Sequence, residues 1–219
     1  MQFAASARVR WLVGEVGSGK TRLLLEFAKH ASLPSLWLEE SLDTRAMWRQ
    51  LAKQMFDLPD DEPLWQQRIP AHLKELIPNE PRWQIYILRS LGLIEEKPWR
   101  RLERRGIDRT FIAWKDFFVA WLKTKASPLL FVLEHGSQGS SFGEFVELLR
   151  ETPAPVFIVQ TSRGRDVPPQ AEVIYMKPLS LQESLDLVEQ LASPQMKTAT
   201  NSLIFQVGGI PANILELGK

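Results

Sequence analysis

Apolar and polar positions alternate along the chain in a strand-then-helix rhythm. Residues 9–13 form a short apolar run that ends in a glycine-rich stretch. Residues 21–30 then read as a helix, with Leu23, Leu24, Phe27 and Ala28 on one face. Pro34 breaks the chain before a second apolar run at 35–38, and a helix over 44–56 follows with Asp43 as its N-cap. Between 57 and 81 stand Pro59, Pro63, Pro70, Pro78 and Pro81, which predict short helices and turns because each proline tends to end or restart a helix. Residues 82–105 read as helical pieces split by Gly92 and Pro98. Asp108 or Thr110 opens a long helix over 110–124, its apolar side carrying Phe111, Trp114, Phe117, Phe118 and Trp121.

The second half repeats the rhythm. Residues 129–133 are uninterrupted apolar, as befits a central strand covered on both faces. An amphipathic helix over 142–150, a buried strand over 156–160 and a last strand over 173–176 follow. From Ser180 onward the pattern is helical, with a turn at Gly208-Gly209 and Pro211. This order predicts an α/β fold: a three-layer arrangement with a parallel central sheet and a small C-terminal helical lid. The expected division is an α/β domain over 1–178, with a helical, proline-rich insert at about 57–109, and a helical lid over 179–219, expected to be cut short.

Composition narrows the function only slightly. A formal net charge of +1 gives no global argument for nucleic acid, so any such partner must rest on a local patch. The absence of cysteine removes disulfides and thiolate metal sites together. No apolar run approaches membrane-spanning length, and Arg8 and Arg10 interrupt any leader-like stretch. A cytoplasmic protein is the expectation, with no membrane partner.

The chemistry begins at Gly14-Glu15-Val16-Gly17-Ser18-Gly19-Lys20-Thr21, which satisfies G-x-x-x-x-G-K-[ST] between an apolar strand and an amphipathic helix. Glycines let successive backbone N–H groups converge on phosphate oxygens. Lys20 is expected on the β- and γ-phosphates and the Thr21 hydroxyl on magnesium, with Arg22 taken into the nucleotide-binding set. The positive end of the following helix adds attraction. Against this stands only a chance glycine turn, which the flanking strand and helix argue against.

A P-loop enzyme also needs an acid at the end of a neighbouring strand. Glu134 closes the run beginning at Pro128 and is the candidate magnesium ligand; His135 stands where a second carboxylate is expected and could accept a proton from water. In another register Glu134 is the base and Leu133 fills the metal position. The plainer reading has Glu134 capping its strand in solvent. After the next strand, Arg163 is the candidate sensor of the γ-phosphate, with Thr161 second, against a merely polar loop. Ser180 and Glu183 form a capping-box pattern at the next helix.

The ordered set of motifs resembles the STAND branch of the ASCE/AAA+-like P-loop ATPases, related to NACHT and NB-ARC domains and closest to members in bacterial regulatory proteins. LVGEVGSGKTRLLLEF (12–27), PLLFVLEH (128–135), VFIVQTSR (156–163), KPLS (177–180) and GGIPANILEL (208–217) carry the resemblance over nearly the whole chain. It implies an ATP-dependent conformational switch for signal transduction, with Pro211 near the adenine and self-association or a regulatory protein as partner. Glu134 and His135 replace the usual acidic pair, which bears on hydrolysis more than on binding. The resemblance also implies either a larger parent protein or a minimal member.

The basic run from Lys97 through Arg105, with Arg109, is either a nucleic-acid patch, an arginine finger or a solvated helical face; the last is favoured. Trp48, Trp114 and Trp121 are expected in the core, whereas some of Trp65, Trp83 and Trp99 are expected on a partner surface. His30, His72 and His135 lack metal-ligand spacing. Three functions stay open: a slow ATPase switch binding ATP or ADP with magnesium, a non-hydrolysing nucleotide scaffold, and a DNA-associated loader using the basic run.

Overall fold

The structure, a computed structural model, describes residues 8–39, 41, 43–60, 62–94, 109–134, 141–164, 167–191 and 208–217. Its frame is a five-stranded, all-parallel sheet in the order β2-β3-β4-β1-β5. The strands are β1 (Arg8–Val13), β2 (Ser35–Glu39), β3 (Leu129–Glu134), β4 (Val156–Ser162) and β5 (Val173–Tyr175). Eight helices stand among the described residues: α1 (Lys20–His30), α2 (Thr44–Phe56), α3 (Glu62–Leu76), α4 (Pro81–Ser90), α5 (Thr110–Lys123), α6 (Ser141–Arg150), α7 (Leu181–Leu191) and α8 (Pro211–Leu217). The arrangement agrees with a P-loop NTPase-like fold, and β4 lies between β1 and β3.

Both faces of the sheet are covered, unequally. Leu129, Phe131 and Leu133 of β3 point into a large core built with α2 to α6, while Leu130 and Val132 point to a small one shared with Leu24 and Ala28 of α1. That period of two explains why β3 reads as a continuous apolar run. The large core is aromatic at its centre. Trp48 and Trp114 stack with ring centroids 4.7 Å apart and 2° between planes, and Phe142 and Phe145 close on Trp48 at 4.8 and 5.2 Å. The Trp114 indole N–H is satisfied by Ser90 Oγ at 2.8 Å, and that hydroxyl donates to the Ile87 carbonyl at 2.8 Å. A buried donor left without such a partner would cost about 1–3 kcal/mol.

Three local expectations change. Pro70 lies inside the unbroken α3, because fully buried Ile69 and Leu73 anchor the helix on either side of the missing N–H. Trp65 is core, 4% exposed, with its indole N–H on the Pro59 carbonyl at 2.6 Å, and Trp83 packs against the same core. On α1 only Leu24 and Ala28 are buried; Leu23 and Phe27 are 45% and 41% exposed, Phe27 meeting the sheet ring to ring, edge on, at Phe157 of β4. Thr110 is the first residue of α5 and Arg109 its N-cap, with no side-chain cap. Asp43 does cap α2, accepting from Arg45 N–H at 2.9 Å. Trp99, Asp108 and the basic run over 97–105 lie outside the described residues. Among the described residues, no helix is long and apolar enough to cross a membrane.

Candidate functional site

The glycine loop leaves β1 at buried Val13 and is tied to the neighbouring strand at once, Gly14 N–H donating to the Ser162 carbonyl at 3.1 Å. It turns through Gly17 at φ +78° and Gly19 at φ +92°, left-handed values that favour glycine, and Gly19 is the N-cap of α1. Packing restricts the loop further. A Cβ on Gly14 would lie 2.8 Å from both Met176 Cβ and Ser18 Oγ, and one on Gly17 would lie 2.5 Å from Ala212 Cβ.

The first turn of α1 carries Lys20, Thr21 and Arg22 and no acid, so positive charge gathers where the helix dipole is already positive. Lys20 Nζ folds back on its own loop, donating to the Gly14 and Glu15 carbonyls at 2.8 Å each and to Ser18 Oγ at 3.5 Å. Its pKa is held below the usual lysine value, first by burial and then by the Arg163 guanidinium; the Glu134 carboxylate offsets part of this. Such an arrangement is costly to the isolated fold and favourable to a bound anion.

Across the loop, Thr21 Oγ1 donates to Glu134 Oε1 at 2.6 Å, joining the start of α1 to the end of β3. These groups open on a cavity of about 870 Å³, of small-molecule size. Residues 16–22 of the loop and α1 line it with Glu134, Thr161 and Arg163, and Met176, Leu179, Leu187, Pro211 and Leu215 add an apolar wall. The cavity lies at the carboxyl ends of parallel strands, where open α/β sheets commonly bind ligands.

The residues singled out from sequence thus fall into three groups. Val16, Gly17, Ser18, Gly19, Lys20, Thr21, Arg22, Glu134, Arg163 and Pro211 all line the cavity, and the Glu15 carbonyl holds Lys20. Arg22 is largely exposed and pairs with Glu26 at 2.7 Å along α1. Thr161 belongs to β4 itself, which extends to Ser162, so Arg163 is the first residue beyond the strand. His135 lies outside the described residues. Two features lie outside that set: the apolar wall apart from Pro211, its residues scattered over 176–215, and Glu39 at the end of β2. The latter had a signal in the sequence, since SLWLE at 35–39 ends in an acid after an apolar run just as LLFVLE at 129–134 does.

The start of α7 is closed as the sequence pattern predicts. Glu183 Oε2 accepts from Ser180 N–H at 2.7 Å and Ser180 Oγ accepts from Glu183 N–H at 3.3 Å. These bonds with Ser180 hold the Glu183 pKa below the usual glutamate value. Beyond α7, Leu179 N–H donates to the Gly209 carbonyl at 2.8 Å, and Ala212 N–H donates to the Gly17 carbonyl at 3.2 Å, so α8 rests on the glycine loop.

The chain matches no protein-family model and no curated protein sequence. Among solved structures it is similar to a Signal Transduction ATPase with Numerous Domains protein with a tetratricopeptide repeat sensor from Pyrococcus horikoshii, with 18% identity and a TM-score of 0.47. The similarity covers 94% of this chain and 26% of that one, so the chain spans about a quarter of that protein's length.

Proposed function

We propose that this chain binds ATP with magnesium in the cavity beneath α8 and serves as the nucleotide-switch module of a STAND-type signalling ATPase. The observation that carries this reading is the 2.6 Å bond from Thr21 to Glu134, made across 113 residues of sequence at the mouth of a glycine loop. It brings a hydroxyl and a carboxylate together beside Lys20, the donor set a phosphate-bound divalent cation requires. The loop fits phosphate on a second count: the Lys20 ammonium is drawn into its own backbone carbonyls, with Arg163 within electrostatic reach.

On this reading the Gly14–Thr21 loop and Lys20 hold the phosphates, and Thr21 and Glu134 would hold magnesium. A bound magnesium ion would neutralise phosphate charge. Arg163 faces the terminal phosphate, and Met176, Leu179, Pro211 and Leu215 bury the base and exclude water. Because Ala212 is bonded to Gly17, a change in the phosphate loop is felt at α8, which gives the module a mechanical output. The helices from Leu181 onward act as the lid, and a regulatory protein or a second copy in the cytoplasm reads its position.

Isothermal titration of ATP, with and without magnesium, tests the proposal. Wild type should bind ATP with magnesium, and Lys20→Ala should weaken binding by about 10- to 100-fold, the worth of a lost charge-assisted bond. Equal affinity of the two proteins, or no binding by wild type, would overturn it.

A further inference from the structure

Glu134 is engaged by the Thr21 hydroxyl, whereas phosphoanhydride hydrolysis also needs a group that takes a proton from the attacking water. A second carboxylate stands one strand away. In the parallel ladder between β2 and β3, Glu39 is the register partner of Glu134, the last of a series that begins with Ser35 opposite Leu130. Adjacent strands lie about 4.8 Å apart.

Alternation fixes the face on which both acids stand. Leu36 and Leu38, like Phe131 and Leu133, belong to the large aromatic core. Trp37 and Val132, partners in the ladder, belong to the small core beneath α1. Two residues further along each strand, Glu39 and Glu134 follow Trp37 and Val132 onto the α1 face. The backbone at Glu39 is held from the outer side of β2. Gln54 of α2 accepts from Trp37 N–H at 2.8 Å and donates to the Trp37 carbonyl, and Gln50 Oε1 accepts from Glu39 N–H at 3.4 Å. The Glu39 side chain is exposed, and among the described residues its carboxylate has no hydrogen-bond or ion-pair partner. It flanks the cavity rather than lining it, one strand spacing from Glu134 on the same face of the sheet.

We infer that Glu39 is the general base of an ATP-hydrolysing reaction in this site, an inference that rests on the ATP-binding reading above. Glu39 takes a proton from a water whose oxygen forms a bond to the γ-phosphorus. The bond from that phosphorus to the β–γ bridging oxygen breaks, its electron pair leaves with ADP, and the proton passes from Glu39 to phosphate or bulk water.

Two measurements on wild type and Glu39→Gln separate this inference from the reading beneath it: ATP affinity by titration, and phosphate release over hours at saturating ATP with magnesium. The expected result is an ATP affinity unchanged within about twofold and phosphate release lowered by about 100-fold or more, as general-base removal usually gives. A circular-dichroism melt overlaying that of wild type excludes misfolding as the cause. Phosphate release by Glu39→Gln at the wild-type rate overturns the inference while ATP binding stands, as does wild type that binds ATP and releases no phosphate. Failure of wild type to bind ATP removes both.

Discussion

Lys20 is the residue at which folding and function conflict most openly. Its ammonium sits at a positive helix end, partly buried, with Arg163 close enough to disfavour its charge further, and only Glu134 opposes them. A side chain selected for stability alone would not carry charge there, and its two carbonyl partners are its own loop. Lys20→Met should therefore leave the ligand-free melting temperature within about 2 °C of wild type, the equivalent of less than about 1 kcal/mol. Its effect belongs with the ligand. At ATP a hundredfold above the wild-type Kd, wild type should gain about 2.7 kcal/mol, or roughly 5–11 °C, and Lys20→Met, weakened about 10- to 100-fold, should gain only about 0.4–1.4 kcal/mol. Melts followed by intrinsic tryptophan fluorescence, with and without ATP, decide it; a large ligand-free loss in the variant would make Lys20 a structural residue. This residue was legible in sequence because the loop motif is local: spacing alone brings Gly14 to Thr21 together. Glu134 needed only a strand end. Glu39 escaped because its neighbour in space lies almost a hundred positions away, and only the ladder register joins them.

At the scale of elements, strand positions were legible from runs of apolar residues, and helix ends where a cap is written in the sequence, as at Asp43. The apolar side read for α5 is buried throughout; what the sequence hid was how little of α1 is covered and which partners each face meets. The Trp48 cluster gathers side chains from α2, α5 and α6, so its centre is defined by tertiary packing alone. Trp48→Ala should cost about 3–5 kcal/mol, a large part of a typical domain's stability, measurable as a drop in the urea midpoint. A loss below about 1 kcal/mol would mean the stack is not the core's centre. The same hidden tertiary support explains α3, where Ile69 and Leu73 keep a helix running past Pro70. At α7 the governing feature is local. Glu183 has its pKa lowered by Ser180, so its contribution is present above the ordinary glutamate value of about 4.3 and is lost as pH falls through the lowered folded value. Because the carboxylate is exposed the effect is small. The stability difference between wild type and Glu183→Gln should be constant at neutral pH and shrink below about pH 4.3, with amide exchange at the start of α7 as the readout.

For the whole molecule the decisive contact is the one between the glycine loop and α8, which are nearly two hundred residues apart in sequence. Two backbone bonds help to seat α8: Ala212 N–H to the Gly17 carbonyl at 3.2 Å and Leu179 N–H to the Gly209 carbonyl at 2.8 Å. Gly17 is held at φ +78° with no space for a methyl group, since a Cβ there would meet Ala212 Cβ at 2.5 Å and Ile210 Cγ2 at 3.2 Å. Gly17→Ala therefore carries two separable penalties. The left-handed backbone costs about 1–2 kcal/mol whatever surrounds it. The clash with Ala212 is relieved only if α8 moves away. In Gly17→Ala the amides of α8 should exchange with deuterium at least about tenfold faster, while those of β3 and β4 at the sheet centre stay protected. Adding Ala212→Gly removes the opposing methyl group. It should bring α8 most of the way back to wild-type protection, leaving the backbone cost, read as a lower melting temperature, in place. If α8 exchanges equally fast in the single and double variants, the methyl contact is not what seats it. If protection returns, α8 is positioned by the glycine loop itself, and a ligand seated in that loop would act on α8.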